Sequence, residues 1–264
     1  VEAGQSLVSP PTKEGGVRCR FRTCFPVKLW PLRVAKARWQ SAHGLELGSR
    51  AKEVTACLGL TLECQGGLQF QDLQMDRLRL FLDGDLPLTS TLYELLDNNC
   101  VEILVRDASR KGGPTLSLPR SALSPVGVEA GVGILPLPRP SFLGYQILQE
   151  YFTFPAKFLF FDVSGLERMA GAGFGTSVDL LFLIGSFSGA DRQEALERGI
   201  TRDTIRLGCT PVVNLFASES EPIRATHRRA EYLVRARGAA KEFSPQIFSV
   251  DQVEAVVGSS PKRV

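Results

Sequence analysis

The sequence has 264 residues, 44% of them hydrophobic and 22% charged, which is the ordinary globular range and long enough to bury a core without staples. Thirty-one Lys and Arg nearly offset 28 Asp and Glu, for a net charge of +3, so bulk charge points to neither nucleic acid nor an anionic membrane surface. No stretch approaches 18 consecutive apolar residues, which excludes a membrane-crossing helix.

Val1 to Gly16 is rich in Gly, Pro, Ser and charge and reads as an irregular lead-in. A first β-rich domain is expected over 17–111. It opens with two strands broken near Pro26 and Pro31. In "ACLGLTLEC" Leu58, Leu60 and Leu62 share one face of a strand. "DRLRLFLDGD" turns Leu78, Leu80 and Leu82 inward and Arg77 and Arg79 outward, and Asp83-Gly84 then reverses the chain. "TSTLYELLDNN" is a helix capped near residue 89, with Leu88, Leu92, Leu95 and Leu96 as its apolar stripe. "VEILVRDA" is a strand with Val101, Ile103 and Val105 on one face.

Residues 112–140 are rich in Pro and Gly, with short extended pieces such as "TLSL", and read as a linker. A second β-rich domain with two short helices is expected over 141–264. "SFLGYQILQEYFTF" has helical spacing, with Phe142, Tyr145, Leu148 and Phe152 on one side, and Pro155 ends it. "KFLFFDV" and "DLLFLIGSF" are apolar nearly throughout, as strands covered on both faces would be. "ADRQEALERG" is a short helix. "IRLGCTPVVNLF", "AEYLVRAR" and "PQIFSVDQVEAVV" read as strands. The fold class is therefore mainly β or α+β, with two β-rich regions joined by a linker and about three short helices, and not a doubly wound sheet.

Chemistry-bearing motifs are sparse. Cys19, Cys24, Cys57, Cys64, Cys100 and Cys209 have no C-x-x-C spacing, and only His43 and His227 are available to complete a zinc site; reduced, mostly buried thiols of a cytoplasmic protein are expected. Gly171, Gly173 and Gly175 precede Thr176-Ser177, but no Lys follows and the next element is a strand, so the segment is a hairpin loop rather than a phosphate cradle. There is no G-x-S-x-G, and the acid pairs Asp83/Asp85 and Asp72/Asp76 fit turns better than a glycosidase cleft. No catalytic residue, cofactor or metal is expected.

Two features stand out. Cys24, Pro26, Val27 and Leu29 are echoed by Cys209, Pro211, Val212 and Leu215, a spacing compatible with two related β units. Tyr151, Phe152, Phe154, Phe158, Phe160 and Phe161 crowd around Pro155 and lead into Asp162. Rings carry large buried areas, and a core that joins the two β-rich regions is the expected use.

Five segments carry a family likeness: "CRFRTCFPVKLWPLRV", "DLQMDRLRLFLDGD", "LYELLDNN", "SFLGYQILQEYFTFPAKFLFFDVSGL" and "DTIRLGCTPVVNLF…EPIR", in that order. Together they resemble the TssF family (also called VasA or ImpG) of type VI secretion baseplates, over about residues 17 to 253. The resemblance implies the middle of a longer chain, matching the start at Val1 rather than Met. It implies a structural wedge subunit assembling with TssG, a second TssF copy, TssK and TssE around a VgrG hub, in the cytoplasm at the inner face of the inner membrane of a Gram-negative bacterium. It carries over no catalytic residue. The competing expectations are a β-sandwich hydrolase, which needs a cleft lined by acids, and a small-ligand module, which needs an apolar pocket.

Overall fold

Period-two alternation gives the first half of the chain its strands. In a computed structural model describing residues 1–11, 16, 18–43, 45, 53–129, 131–136, 142–226, 228–237, 245–257 and 260–263, these are β1 (Ser6–Val8), β2 (Arg20–Thr23), β3 (Leu32–Ser41), β4 (Ala56–Cys64), β5 (Arg77–Leu82), β6 (Cys100–Asp107), β7 (Thr115–Pro119) and β8 (Leu123–Val126). They are followed by β9 (Phe160–Ser164), β10 (Ser177–Ile184), β11 (Ile205–Leu207), β12 (Val212–Val213), β13 (Glu254–Val257) and β14 (Ser260–Arg263). The helices are α1 (Leu86–Asn98), α2 (Leu143–Thr153) and α3 (Ala190–Gly199). The chain is mainly β with three helices among the described residues, as expected.

Two compact units result, one of Val1–Gln5 with Thr23–Val212, the other of Ser6–Arg22 with Val213–Val264. The first holds a five-stranded sheet in the order β3-β4-β10-β6-β7 and a four-stranded sheet in the order β11-β5-β9-β8. All the strand pairs described in both are antiparallel. In register, Leu180 of β10 lies opposite Leu60 of β4 and Val105 of β6. Leu58, Leu60, Leu62, Ile103, Val105, Leu180 and Phe182 from one sheet join Leu78, Leu80, Leu82, Phe161 and Val163 from the other in one hydrophobic cluster. Leu92, Leu95 and Leu96 of α1 and Leu196 of α3 complete it. Cys57, Leu104, Leu181 and Leu183 form a second cluster with Val54; they alternate with the first set, so β10 is covered on both faces, as its unbroken apolar run required.

The expected division of the chain differs from these units. β10, from the expected second domain, is the central strand of a sheet otherwise built from residues 32–119. The expected linker supplies β7 to one sheet and β8 to the other. Non-local pairing of this kind leaves no trace in composition. The lead-in also contributes a strand: Leu7 of β1 pairs with Phe21 of β2.

Smaller departures have local causes. α1 starts at Leu86, after Asp85 and with Pro87 in its first turn, which is where a proline is tolerated. Thr89, expected near the cap, is buried inside the helix, its hydroxyl donating to the carbonyls of Asp85 and Leu86 at 3.1 and 3.2 Å. Val101 is exposed because the β6–β10 register shifts there: Leu183 lies opposite Glu102 but Ile184 opposite Cys100. The extra residue is a β-bulge, which turns one side chain to the other face.

In the second unit β13 and β14 form a hairpin, Glu254 opposite Arg263. The strand expected at 230–237 reduces to one bridge between Ser220 and Ala236, flanked by an Arg237–Glu219 ion pair at 2.9 Å. Residues 245–253 are not strand.

Candidate interaction surface

The aromatic stretch around Pro155 divides at the proline. On its C-terminal side β9 alternates across its sheet. Phe161 points into the main core, its ring 4.9 Å from that of Tyr93. Phe160 points the other way, into a satellite cluster with Phe25 and Val126. It meets Phe25 edge-on at 5.7 Å and Phe81 at 4.6 Å. Asp162, also buried, takes both arms of Arg79, with Nε to Oδ1 at 2.7 Å and Nη2 to Oδ2 at 2.8 Å. Arg77 adds a third contact at 3.2 Å. Hydrogen bonding to Asp162 raises the pKa of Arg79 against the opposing effect of burial. A two-pronged charge-assisted contact of this kind fixes orientation as well as distance, here locking β9 to β5.

On the N-terminal side the rings face outward. Phe152 is 81% exposed, Tyr145 72% and Phe142 70%, and Leu148, Tyr151 and Phe154 are exposed as well. Phe158 and Pro155 are half-buried. The core expected of Tyr151 to Phe161 therefore holds Phe160 and Phe161 but not Tyr151, Phe152 or Phe154. The reason is that α2 buries its polar side. Glu150 and Lys157 are an ion pair with both side chains almost wholly out of water. Glu150 Oε1 also accepts the amide of Ile134 at 2.7 Å and Gln146 Nε2 at 3.2 Å. Gln146 Nε2 donates to the carbonyl of Leu135 at 2.7 Å. The Lys157 ammonium sits 4.9 Å over the ring of Phe158. Helix α2 packs mainly on the turn Pro155–Phe158 that follows it. The sequence signal for this pair was present: two opposite charges flank Pro155 in an otherwise apolar run. Their spacing alone does not say that they face each other.

The outer face carries no charge. Between Phe142 and Ala156 Glu150 is the one ionisable acid or base apart from the tyrosines, and it is buried. Aromatic, charge-free and exposed is the composition of an interface core.

The two Cys-x-Pro-Val segments are brought side by side. The Cys24 amide donates to the Pro211 carbonyl at 2.8 Å, the Phe25 amide to the Thr210 hydroxyl at 3.1 Å, and that hydroxyl to the Phe25 carbonyl at 2.9 Å. Equivalent positions differ in surroundings: Pro26 is exposed and Pro211 buried, Val27 buried and Val212 exposed. Cys24 and Cys209 both pack against the satellite cluster. Leu29 is exposed and Leu215 half-buried.

Nothing assembles into a reaction centre among the described residues. No group of three His, Cys, Asp or Glu is placed to hold a metal ion. Asp83 pairs with Arg206 and the exposed Asp76 with Lys28 at 2.8 Å; the hydrogen bond from Lys28 is the main cause that lowers the Asp76 pKa. Ser41 Oγ lies 2.8 Å from His43 Nδ1 at an exposed strand end. His227 lies outside the described residues. A depression of about 340 Å³ is lined by Glu53, Val54, Val101, Glu102, Ser117, Pro119 and Arg120, without histidine or ring. Burial pushes the Cys57 thiol up to about 12 and the Cys64 and Cys100 thiols to about 11, the opposite of an activated nucleophile.

The family described as "Type VI secretion system, TssF" matches residues 1–264. The chain belongs to the TssF family. It is 32% identical over 267 residues to the type VI secretion system component TssF1 of Pseudomonas aeruginosa, covering all of this chain and 42% of that protein. A chain in the cryo-electron microscopy structure of the type VI secretion system TssK–TssF–TssG baseplate subcomplex is similar over all of this chain and 46% of its own length, with a TM-score of 0.78 and 26% identity. The chain thus spans less than half the length of these TssF-related proteins. Neither competing expectation, a hydrolase or a small-ligand module, gains support from these likenesses.

Proposed function

We propose that the chain is the structural middle of a baseplate wedge subunit that assembles with TssG, a second TssF copy and TssK. TssE and a VgrG hub complete the set of partners that the family resemblance implied. The work is done at the cytoplasmic face of the inner membrane of a Gram-negative bacterium, and it is scaffolding rather than catalysis. The observation that carries this reading is the likeness of the entire chain, in sequence and in fold, to a component of the TssK–TssF–TssG subcomplex. No helix among the described residues is long and apolar enough to cross a membrane, consistent with a subunit held in place by partners. A wedge must keep its geometry while its neighbours move. The Asp162–Arg79 clamp and the single core shared by two sheets suit that need, with β9 (Phe160, Phe161, Asp162) as the fixed element.

The test is co-expression of the full-length parent with the TssG-like protein of the same gene cluster, followed by native mass measurement. A stable complex with two copies of the parent per partner is expected. A monomer that ignores the partner overturns the reading.

A further inference from the structure

The exposed face of α2 reads the same in both directions. Phe142, Tyr145, Leu148, Tyr151 and Phe154 follow one another at intervals of three, an i, i+3 ridge that winds about the helix by roughly 60° per step, with Phe142 and Phe154 just outside its two ends. All five are exposed. About Leu148 the order is Phe-Tyr-Leu-Tyr-Phe, so a two-fold axis at Leu148 sets Tyr145 against Tyr151 of a copy and Phe142 against Phe154 of a copy. Self-complementarity of one patch is the requirement of an isologous contact.

From this palindromic ridge we infer that α2 is the contact by which two copies of the chain meet, with Leu148 at the axis. This rests on the wedge reading and names the surface that its second copy uses. Three observations favour a copy over other occupants. The face carries no charge, so its own image meets no repulsion. With Phe152 beside the ridge, and rings of about 150–250 Å² each, on the order of 700 Å² stays exposed, close to the roughly 800 Å² per partner of a specific interface. The helix has no Lys or Arg on any side, unlike a helix that lies on an anionic membrane. The buried Glu150–Lys157 pair holds the ridge outward by occupying the inner face.

The experiment uses the full-length parent with its TssG-like partner. Tyr145→Ser combined with Tyr151→Ser is expected to reduce the complex from two copies to one and to weaken self-association at least about tenfold, with melting unchanged because both rings are exposed. Independently, Leu148→Cys is expected to give a disulfide-linked homodimer under mild oxidation, which the unsubstituted protein does not. Two copies retained at unchanged affinity, with no crosslink at residue 148, overturn the inference and leave the wedge reading standing. Loss of the TssG-like partner with the pair of copies intact also overturns it, assigning the face to that partner. An unsubstituted parent that binds neither partner nor copy removes both readings.

Discussion

Phe161 and Phe152 belong to one short aromatic run, yet one ring is sealed in the core and the other stands in water. Two neighbours decide this. β9 has a sheet partner on each side and a core beneath it, so alternation alone buries Phe161 on one face and Phe160 on the other. Helix α2 packs mainly on the turn Pro155–Phe158 that follows it. Its inner face is taken by Glu150 and Lys157, and the rings have nowhere to go but outward. Aromatic density says that large surface will be buried; it does not say whether the chain itself or another molecule buries it.

The sharpest way to break this contrast is at Phe161. Phe161→Ala should destabilise the protein by about 3–5 kcal/mol, the range for emptying a buried ring site. Chemical denaturation with the midpoint and slope both followed is the measurement. A loss below about 1 kcal/mol would place Phe161 with the α2 rings instead.

The ion pair under α2 comes next. Lys157→Met leaves the Glu150 carboxylate buried without its cation and should cost roughly 3–5 kcal/mol. Adding Glu150→Gln removes the stranded charge and keeps an oxygen for the Ile134 amide. The double variant should therefore recover most of the loss. If it does not, the pair serves through its shape and not through charge balance.

A smaller effect separates the sheet core by pH. The Cys57 thiol rises from an ordinary 9.0 to about 12, and that of Cys100 to about 11, in each case chiefly through burial. Above pH 9 the unfolded chain releases these protons while the folded chain keeps them. Their contribution is complete below pH 9 and falls as pH climbs toward 11–12. Melting temperature should decline over that window, and Cys57→Ala should flatten the decline. Both thiols should also resist alkylation at pH 8 in the folded protein and react once it is unfolded.

How much of this was legible in the sequence follows the range of the interactions. β4, β5 and α1 came directly from periodicity, because Leu58, Leu60 and Leu62, then Leu78, Leu80 and Leu82, then Leu92, Leu95 and Leu96 are the residues that the main core takes. Their partners did not: β10 inserts between β4 and β6 from far along the chain, and no local pattern announces that. The bulge that turns Val101 outward depends on the register of β10, again a partner property. The Asp162 clamp was half-visible, as a lone acid in an apolar strand with Arg77 and Arg79 alternating elsewhere. The outward face of α2 was hidden for a different reason. A stripe of Phe142, Tyr145, Leu148 and Phe152 looks the same whether it faces a core or a partner; the missing sign was the pairing of Glu150 with Lys157 on the other side.

The smallest expected effect on stability is therefore the most telling. Phe152→Ser, at a position 81% exposed, should change the folding free energy of the isolated chain by no more than about 0.5 kcal/mol, the range for surface substitutions. Measured beside Phe161→Ala under the same conditions, it shows two phenylalanines of one run differing several-fold in their contribution to folding. A large loss at Phe152 would mean that α2 folds its rings inward in solution, and the contrast between α2 and β9 would collapse. A negligible loss leaves a phenylalanine whose size and apolarity the fold does not use, and whose value to the protein must then lie in what it touches outside the chain.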